Sequence, residues 1–181
     1  MFNKVNLELK CFCEDFSPIR EELEKLQAKK GRPVKQIDYF FNLPEEKEGV
    51  PKRLKLRIAG RQKTLVLYSR DKFSNNRSTP SNVVLFPIKD KRIINFLKRA
   101  LGVRGIVEKI REQWKKEYVV FNLDRVKGVG NIFEIEIATN DERRERDEAT
   151  FNNYKKTFSP YLGKIVSGSN IDLVLNQKPR I

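Results

Sequence analysis

The stretch Arg53-Leu54-Lys55-Leu56-Arg57-Ile58 alternates cation and aliphatic side chain without a break. Successive side chains of a strand point to opposite faces, so this segment has one wholly cationic face and one wholly aliphatic face. The same period recurs along the chain. Residues 3–13 put Val5, Leu7, Leu9, Cys11 and Cys13 on one side and Asn6, Glu8, Lys10 and Phe12 on the other. Lys109 and Arg111 share a face between Ile110 and its neighbours. Glu134 and Glu136 alternate with Phe133, Ile135 and Ile137, and Asp124 lies on the strand before them. A sheet with one wet face usually mixes its polar residues. Here cationic strands and carboxylate strands are segregated, and a closed or nearly closed sheet with its polar faces inward gathers both around one cavity.

The rest of the chain fits a sheet with helices outside it. Strands are expected over 34–42 and 83–86, and a hairpin turns at Gly60-Arg61-Gln62 and returns over 64–68. Three more strands are expected within 104–138, with Lys127-Gly128-Val129-Gly130-Asn131 as the last turn. Helices are expected from Ser17-Pro18 to Gly31, over 89–101, from Asn140 to about Phe158, and over 169–175. The polar stretch 70–82 reads as a loop. Trp114 reads as packing rather than as a platform for a base, and Gly128-Val129-Gly130 as a hairpin rather than a dinucleotide fingerprint.

Composition limits the chemistry. Of 181 residues, 38 are Lys or Arg and 24 are Asp or Glu, giving +14, which points to an anionic partner. With no histidine, imidazole acid–base chemistry and His metal sites are excluded. Two cysteines, Cys11 and Cys13, are too few for a disulfide scaffold and read as buried thiols in a reducing compartment. No apolar run reaches the roughly 18 residues of a spanning helix, and the first residues carry no apolar signal region. A single domain over 1–181, cytoplasmic and without a membrane partner, is the expectation. Arg and Lys suit phosphate oxygens, and carboxylates suit Mg²⁺ or Mn²⁺ shared with those phosphates.

These segments resemble the CYTH superfamily of triphosphate tunnel metalloenzymes, in order and over nearly the whole chain. Asn6-Leu7-Glu8-Leu9-Lys10 resembles the family's E-x-E-x-K strand, with Asn6 in place of the first Glu. Leu54-Lys55-Leu56-Arg57 resembles its L-R-x-R strand, and Lys109-Ile110-Arg111 its K-x-R strand. The run Leu123-Asp124-Arg125-Val126-Lys127-Gly128-Val129-Gly130, followed by Asn131-Ile132-Phe133-Glu134-Ile135-Glu136, resembles its most specific signature. Ile171-Asp172-Leu173-Val174-Leu175 resembles its closing helix. Where the family often has a Lys and then R-x-E, this chain has Tyr68-Ser69-Arg70 and Arg77-Ser78-Thr79.

The resemblance implies an α+β fold, an antiparallel eight-stranded, barrel-like triphosphate tunnel with helices packed on the outside. It implies phosphate binding by Lys10, Arg53, Lys55, Arg57, Arg70, Lys109 and Arg111, and metal binding by Glu8, Asp124, Glu134 and Glu136. Glu8, Lys10, Glu134 and Glu136 would carry catalysis. The implied activity is that of a class IV adenylyl cyclase, converting ATP to cyclic AMP and pyrophosphate with Mg²⁺ or Mn²⁺. The alternatives are a triphosphatase acting on thiamine triphosphate, a nucleoside triphosphate or tripolyphosphate, and a nucleotide- or polyphosphate-binding module without turnover. The partner is thus a nucleotide or polyphosphate, with nucleic acid as the lesser alternative, and a homodimer is a compatible assembly.

Overall fold

The computed structural model describes residues 2–44, 52–70, 81–166 and 168–177. The expected loop over 70–82 lies largely outside them, and Arg77-Ser78-Thr79 with it. Nine strands are present among the described residues: β1 (Phe2–Phe12), β2 (Lys29–Lys30), β3 (Val34–Phe41), β4 (Lys52–Ala59), β5 (Gln62–Arg70), β6 (Ser81–Pro87), β7 (Val103–Lys116), β8 (Val119–Val126) and β9 (Gly130–Thr139). The helices are α1 (Ser17–Lys25), α2 (Ile93–Leu101), α3 (Arg144–Phe158) and α4 (Asn170–Leu175). None of them is long and apolar enough to cross a membrane.

Pairing runs β7-β3-β4-β5-β6-β1-β9-β8, and β8 pairs back onto β7. Every pairing is antiparallel, so eight strands close on themselves, with β2 a two-residue addition to β7. Closure removes the exposed edges that an open sheet would present. The period-two pattern sorts the side chains as expected. Leu7, Leu9 and Cys11 of β1, Phe121 and Leu123 of β8, and Phe133, Ile135 and Ile137 of β9 face outward into a core with Ile19 and Leu23 of α1 and Phe151 and Phe158 of α3. Trp114 is buried there and donates its indole N–H to Glu112. Phe41 and Leu56 face outward beneath Leu97 of α2.

α1 ends earlier than its sequence suggests. The chain leaves the helix after Leu26, Gln27 adopts a positive φ of 57°, and Lys29–Lys30 are drawn into pairing with β7. The glycine turn behaves as expected: Gly128 and Gly130 take φ of 78° and 116°, a region that costs glycine nothing. β7 is much longer than the run of residues that announces it, because its first half pairs with β3 and its second half with β8.

α4 lies across one end of the barrel. Ile171 joins a third cluster with Phe40, Val66, Tyr68, Val107, Val126 and Ile132, all on inward rows. It fits because Gly105 has no side chain: a Cβ there would stand 2.6 Å from Ile171 Cδ1. Ile171 can turn aside for one methyl but not for a branched residue. Gly105→Val is therefore expected to overpack this end by about 1–3 kcal/mol. Hydrogen exchange should then quicken in α4 before anywhere else. Unchanged protection of α4 would refute this reading.

Candidate functional site

The inward rows above α4 enclose a cavity of about 340 Å³. Its base is apolar, with Phe40, Val66, Tyr68, Val83 and Leu85, and Ser169 and Asn170 at the start of α4 reach the same space. Further along each strand the lining becomes charged. β1 supplies Asn6, Glu8 and Lys10; β3, Asp38; β4, Lys55 and Arg57; β7, Lys109 and Arg111; β9, Glu134 and Glu136. The far end is lined by Tyr118, Val120 and Ala138.

Register decides which charges meet. Glu8 stands opposite Glu136, and Lys10 opposite Glu134, across the β1–β9 ladder. Lys10 Nζ lies 3.0 Å from Glu8 Oε1 and 3.4 Å from Glu134 Oε1. Arg111 donates to Glu134 at 2.8 Å and, through two nitrogens, to Asp124 at 2.7 and 2.6 Å. Lys109 donates to Asp124 at 2.6 Å. Lys55 and Arg57 converge on Asp38, the lysine at 2.9 Å and the guanidinium at 2.9 and 3.0 Å. Asn122 donates its amide to Glu136 at 3.1 Å.

The proton affinities follow from this crowding. Burial alone would raise Asp38, but Lys55 and Arg57 hold it well below the usual carboxylate range. Burial would also raise Asp124, which Arg111 and Lys109 hold down. Glu134 is opposed by burial in the same way and held well below its ordinary value by Lys10 beside it. Burial, followed by the neighbouring Arg57 charge, pushes Lys55 down to about 8, and burial with Arg111 does the same to Lys109. Glu136 moves opposite to Asp38, Asp124 and Glu134. Burial and the charge of Glu134 push it up to about 7.

The structure brings Glu8, Lys10, Lys55, Arg57, Lys109, Arg111, Glu134 and Glu136 around one cavity. Two other sequence candidates, Arg53 and Asp124, stand elsewhere. Arg53 is one step nearer the α4 end and donates to Asp172 at 2.7 Å and to the Ser169 hydroxyl, so it ties α4 to β4. Asp124 is fully buried behind Lys109 and Arg111 and is spent on holding them. Arg70 is the last residue of β5, and its side chain lies outside the described part. Sequence reasoning missed Asp38 and Asn122 as members of the site. Both sit on the inward parity of their strands, which was the available signal.

Comparison with known proteins agrees with this geometry. The CYTH domain model matches residues 5–156. A Methanocaldococcus jannaschii protein named "Putative adenylate cyclase" is 26% identical over 140 residues, covering 76% of this chain and 79% of that protein. Among solved structures, the PH1012 protein of Pyrococcus horikoshii superposes with a TM-score of 0.75 at 24% identity, covering 93% of this chain and 98% of that one. A Hippeastrum protein, described as an adenylyl cyclase candidate with a dominant triphosphatase activity, gives 0.64 at 17% identity, covering 97% and 98%. With the match spanning most of the chain and the tunnel present, the protein belongs to the CYTH family, within the triphosphate tunnel metalloenzymes.

Proposed function

We propose that the tunnel binds a triphosphate together with a divalent cation and cleaves it, with ATP cyclisation to cyclic AMP and pyrophosphate as the leading reaction. One observation carries this reading: Lys55, Arg57, Lys109 and Arg111 line one side of the barrel's cavity, whose other side holds Glu8, Glu134 and Glu136. Four cations on two strands match the length and charge of a polyphosphate chain better than that of a single anion.

The residues fit a hard, oxygen-seeking cation. Glu8 and Glu136 face each other across the ladder, with the Asn6 amide two positions along the same face of β1. Burial first, and the Glu134 charge next, hold Glu136 at about 7, so a cation placed beside it would favour its ionised form. Among the described residues no three acidic or thiol side chains form a ready-made metal cage. That suits Mg²⁺ or Mn²⁺, which sits on one or two carboxylates and completes its shell with substrate phosphates and water. When bound there, the cation would draw charge from the phosphoryl oxygens and polarise the phosphorus under attack.

The chain's own residues supply position and charge. Arg57 and Arg111 fix phosphate oxygens with paired N–H groups, and Lys55 and Lys109 add point charges between them. The apolar base of Phe40, Val66, Tyr68, Val83 and Leu85 excludes water from one side and has room for an organic group. In cyclisation the ribose 3′-hydroxyl attacks the α-phosphorus and pyrophosphate leaves. The same cradle turned to the γ-phosphorus with water as nucleophile gives a triphosphatase. The name of the M. jannaschii relative favours the first.

Product analysis tests it. The protein is incubated with ATP, thiamine triphosphate or tripolyphosphate, each with Mg²⁺ or Mn²⁺. Cyclic AMP with pyrophosphate is the expected result. Orthophosphate release would place the chain with triphosphatases, and binding without turnover would leave only the binding half of the reading.

A further inference from the structure

Within the tunnel the fixed charges are already paired. Five acidic residues (Glu8, Asp38, Asp124, Glu134, Glu136) face five basic ones (Lys10, Lys55, Arg57, Lys109, Arg111). A bare triphosphate entering this space meets cations that carboxylates already hold. Asp124 is fully enclosed behind its partners and cannot be approached. Glu8, Glu134 and Glu136 stand on β1 and β9, away from β4. Asp38 differs from all of these. It lies on β3, directly beside the β4 cations, lines the cavity, and bridges Lys55 and Arg57 in the bidentate manner of a phosphate. Its register partner on β4 is Arg57 itself.

We propose that Asp38 sets the selectivity of the tunnel: its carboxylate competes with phosphate for Lys55 and Arg57, so the site disfavours a fully ionised triphosphate and favours one whose charge is reduced by a chelated cation. The inference rests on the triphosphate reading above and deepens it. Two effects of Asp38 oppose each other. It orients the two cations, which helps any anion. It also places a negative charge within a few ångströms of the incoming oxygens, which hurts a bare polyanion most. The second effect wins, because Lys55 and Arg57 are also fixed by other neighbours. Lys55 Nζ sits 5.4 Å from the Phe40 ring centroid and 5.6 Å from that of Tyr68, and both cations emerge from a strand paired on each side.

The test is calorimetric binding of inorganic tripolyphosphate to the whole chain, once in EDTA and once with excess Mg²⁺. Wild type is compared with Asp38→Asn and Asp38→Ser. Both variants remove the charge, and both leave an oxygen that can accept from Lys55. Two different side chains keep the test open if one variant fails to fold. The expected result is at least a tenfold gain in affinity for the bare anion, with less than a threefold change for the Mg²⁺ complex. The preference for the chelated form should therefore narrow. Asp38→Glu, which restores the charge, should return the bare-anion affinity toward wild type. A purely structural role would weaken both forms together, and that result overturns the proposal, as does an unchanged ratio. If wild type binds neither form, the triphosphate reading itself fails; if wild type binds and the ratio does not move, only the role of Asp38 does.

Discussion

Asp124→Ala is expected to destabilise the fold by about 3–5 kcal/mol, the usual cost of removing one partner from a buried ion-pair network. For a chain of this size that lowers the melting temperature by roughly 10 °C. Lys109 and Arg111, with side chains 2% and 9% exposed, donate to Asp124 through three bonds of 2.6–2.7 Å. Without the carboxylate two neighbouring cations remain inside the barrel with their charges less balanced. Asp124→Asn keeps the shape and an acceptor oxygen and should cost less. Urea denaturation at neutral pH measures both, and an Asp124→Ala cost below about 1 kcal/mol would show that the network is hydrated and weak.

The same carboxylate shapes the response to acid. Asp124, Asp38 and Glu134 all have their proton affinity lowered by the fold. As pH falls the unfolded chain takes up these protons first. The stability they confer is therefore complete above the ordinary carboxylate range and is lost progressively from there down to the lowered values these groups have in the fold. Wild type should lose stability steeply below about pH 4, and Asp124→Ala should lose it less steeply, since one of the three groups is gone.

The charged row at 53–58 shows how far sequence alone reaches. Its period placed Leu54 and Leu56 outside and Lys55 and Arg57 inside, and the structure agrees. The two glycines and the Glu-x-Glu of β9 located the hairpin and the acidic wall. Arg53 has the same parity as Lys55 and Arg57 but a different role. A period of two tells which face a residue is on, not how far along the barrel it lies. The partner that claims Arg53, Asp172, is 119 residues away in sequence. Asp38 was hidden for a related reason. On its strand it alternates with Ile37 and Tyr39 and is followed by Phe40 and Phe41, so the segment reads as mainly apolar. Only the ladder to β4 puts Lys55 and Arg57 against it. Asp124 carried the right residue type in the right signature, yet its depth behind Lys109 and Arg111 depends on β7 pairing with β8.

Glu136→Gln is expected to lower metal-dependent turnover at least a hundredfold while making the protein more stable at alkaline pH. The loss follows from the proposed function, because a neutral amide keeps the shape but removes one of the charges that would hold a divalent cation beside the phosphates. The gain follows from linkage. Glu136 is pushed up to about 7 in the fold, by burial first and by Glu134 next. Between the ordinary glutamate value and about 7 the unfolded chain has released this proton and the folded chain has not, so wild-type stability falls as pH rises through that window. Above it the folded protein carries the full cost of an ionised carboxylate beside Glu134. Glutamine removes that cost, roughly 1–2 kcal/mol after allowance for water in the tunnel. Melting temperatures at pH 5 and pH 8 should therefore cross: equal or lower for the variant at the first, higher at the second. Mg²⁺ should raise the wild-type melting temperature at pH 8 and raise that of Glu136→Gln much less. A variant that melts with wild type at both pH values, or responds equally to Mg²⁺, would remove Glu136 from the cation's corner. Retained turnover would do the same from the chemical side. Ionising Glu136 burdens the folded protein above about pH 7, and the proposed cation would relieve that burden.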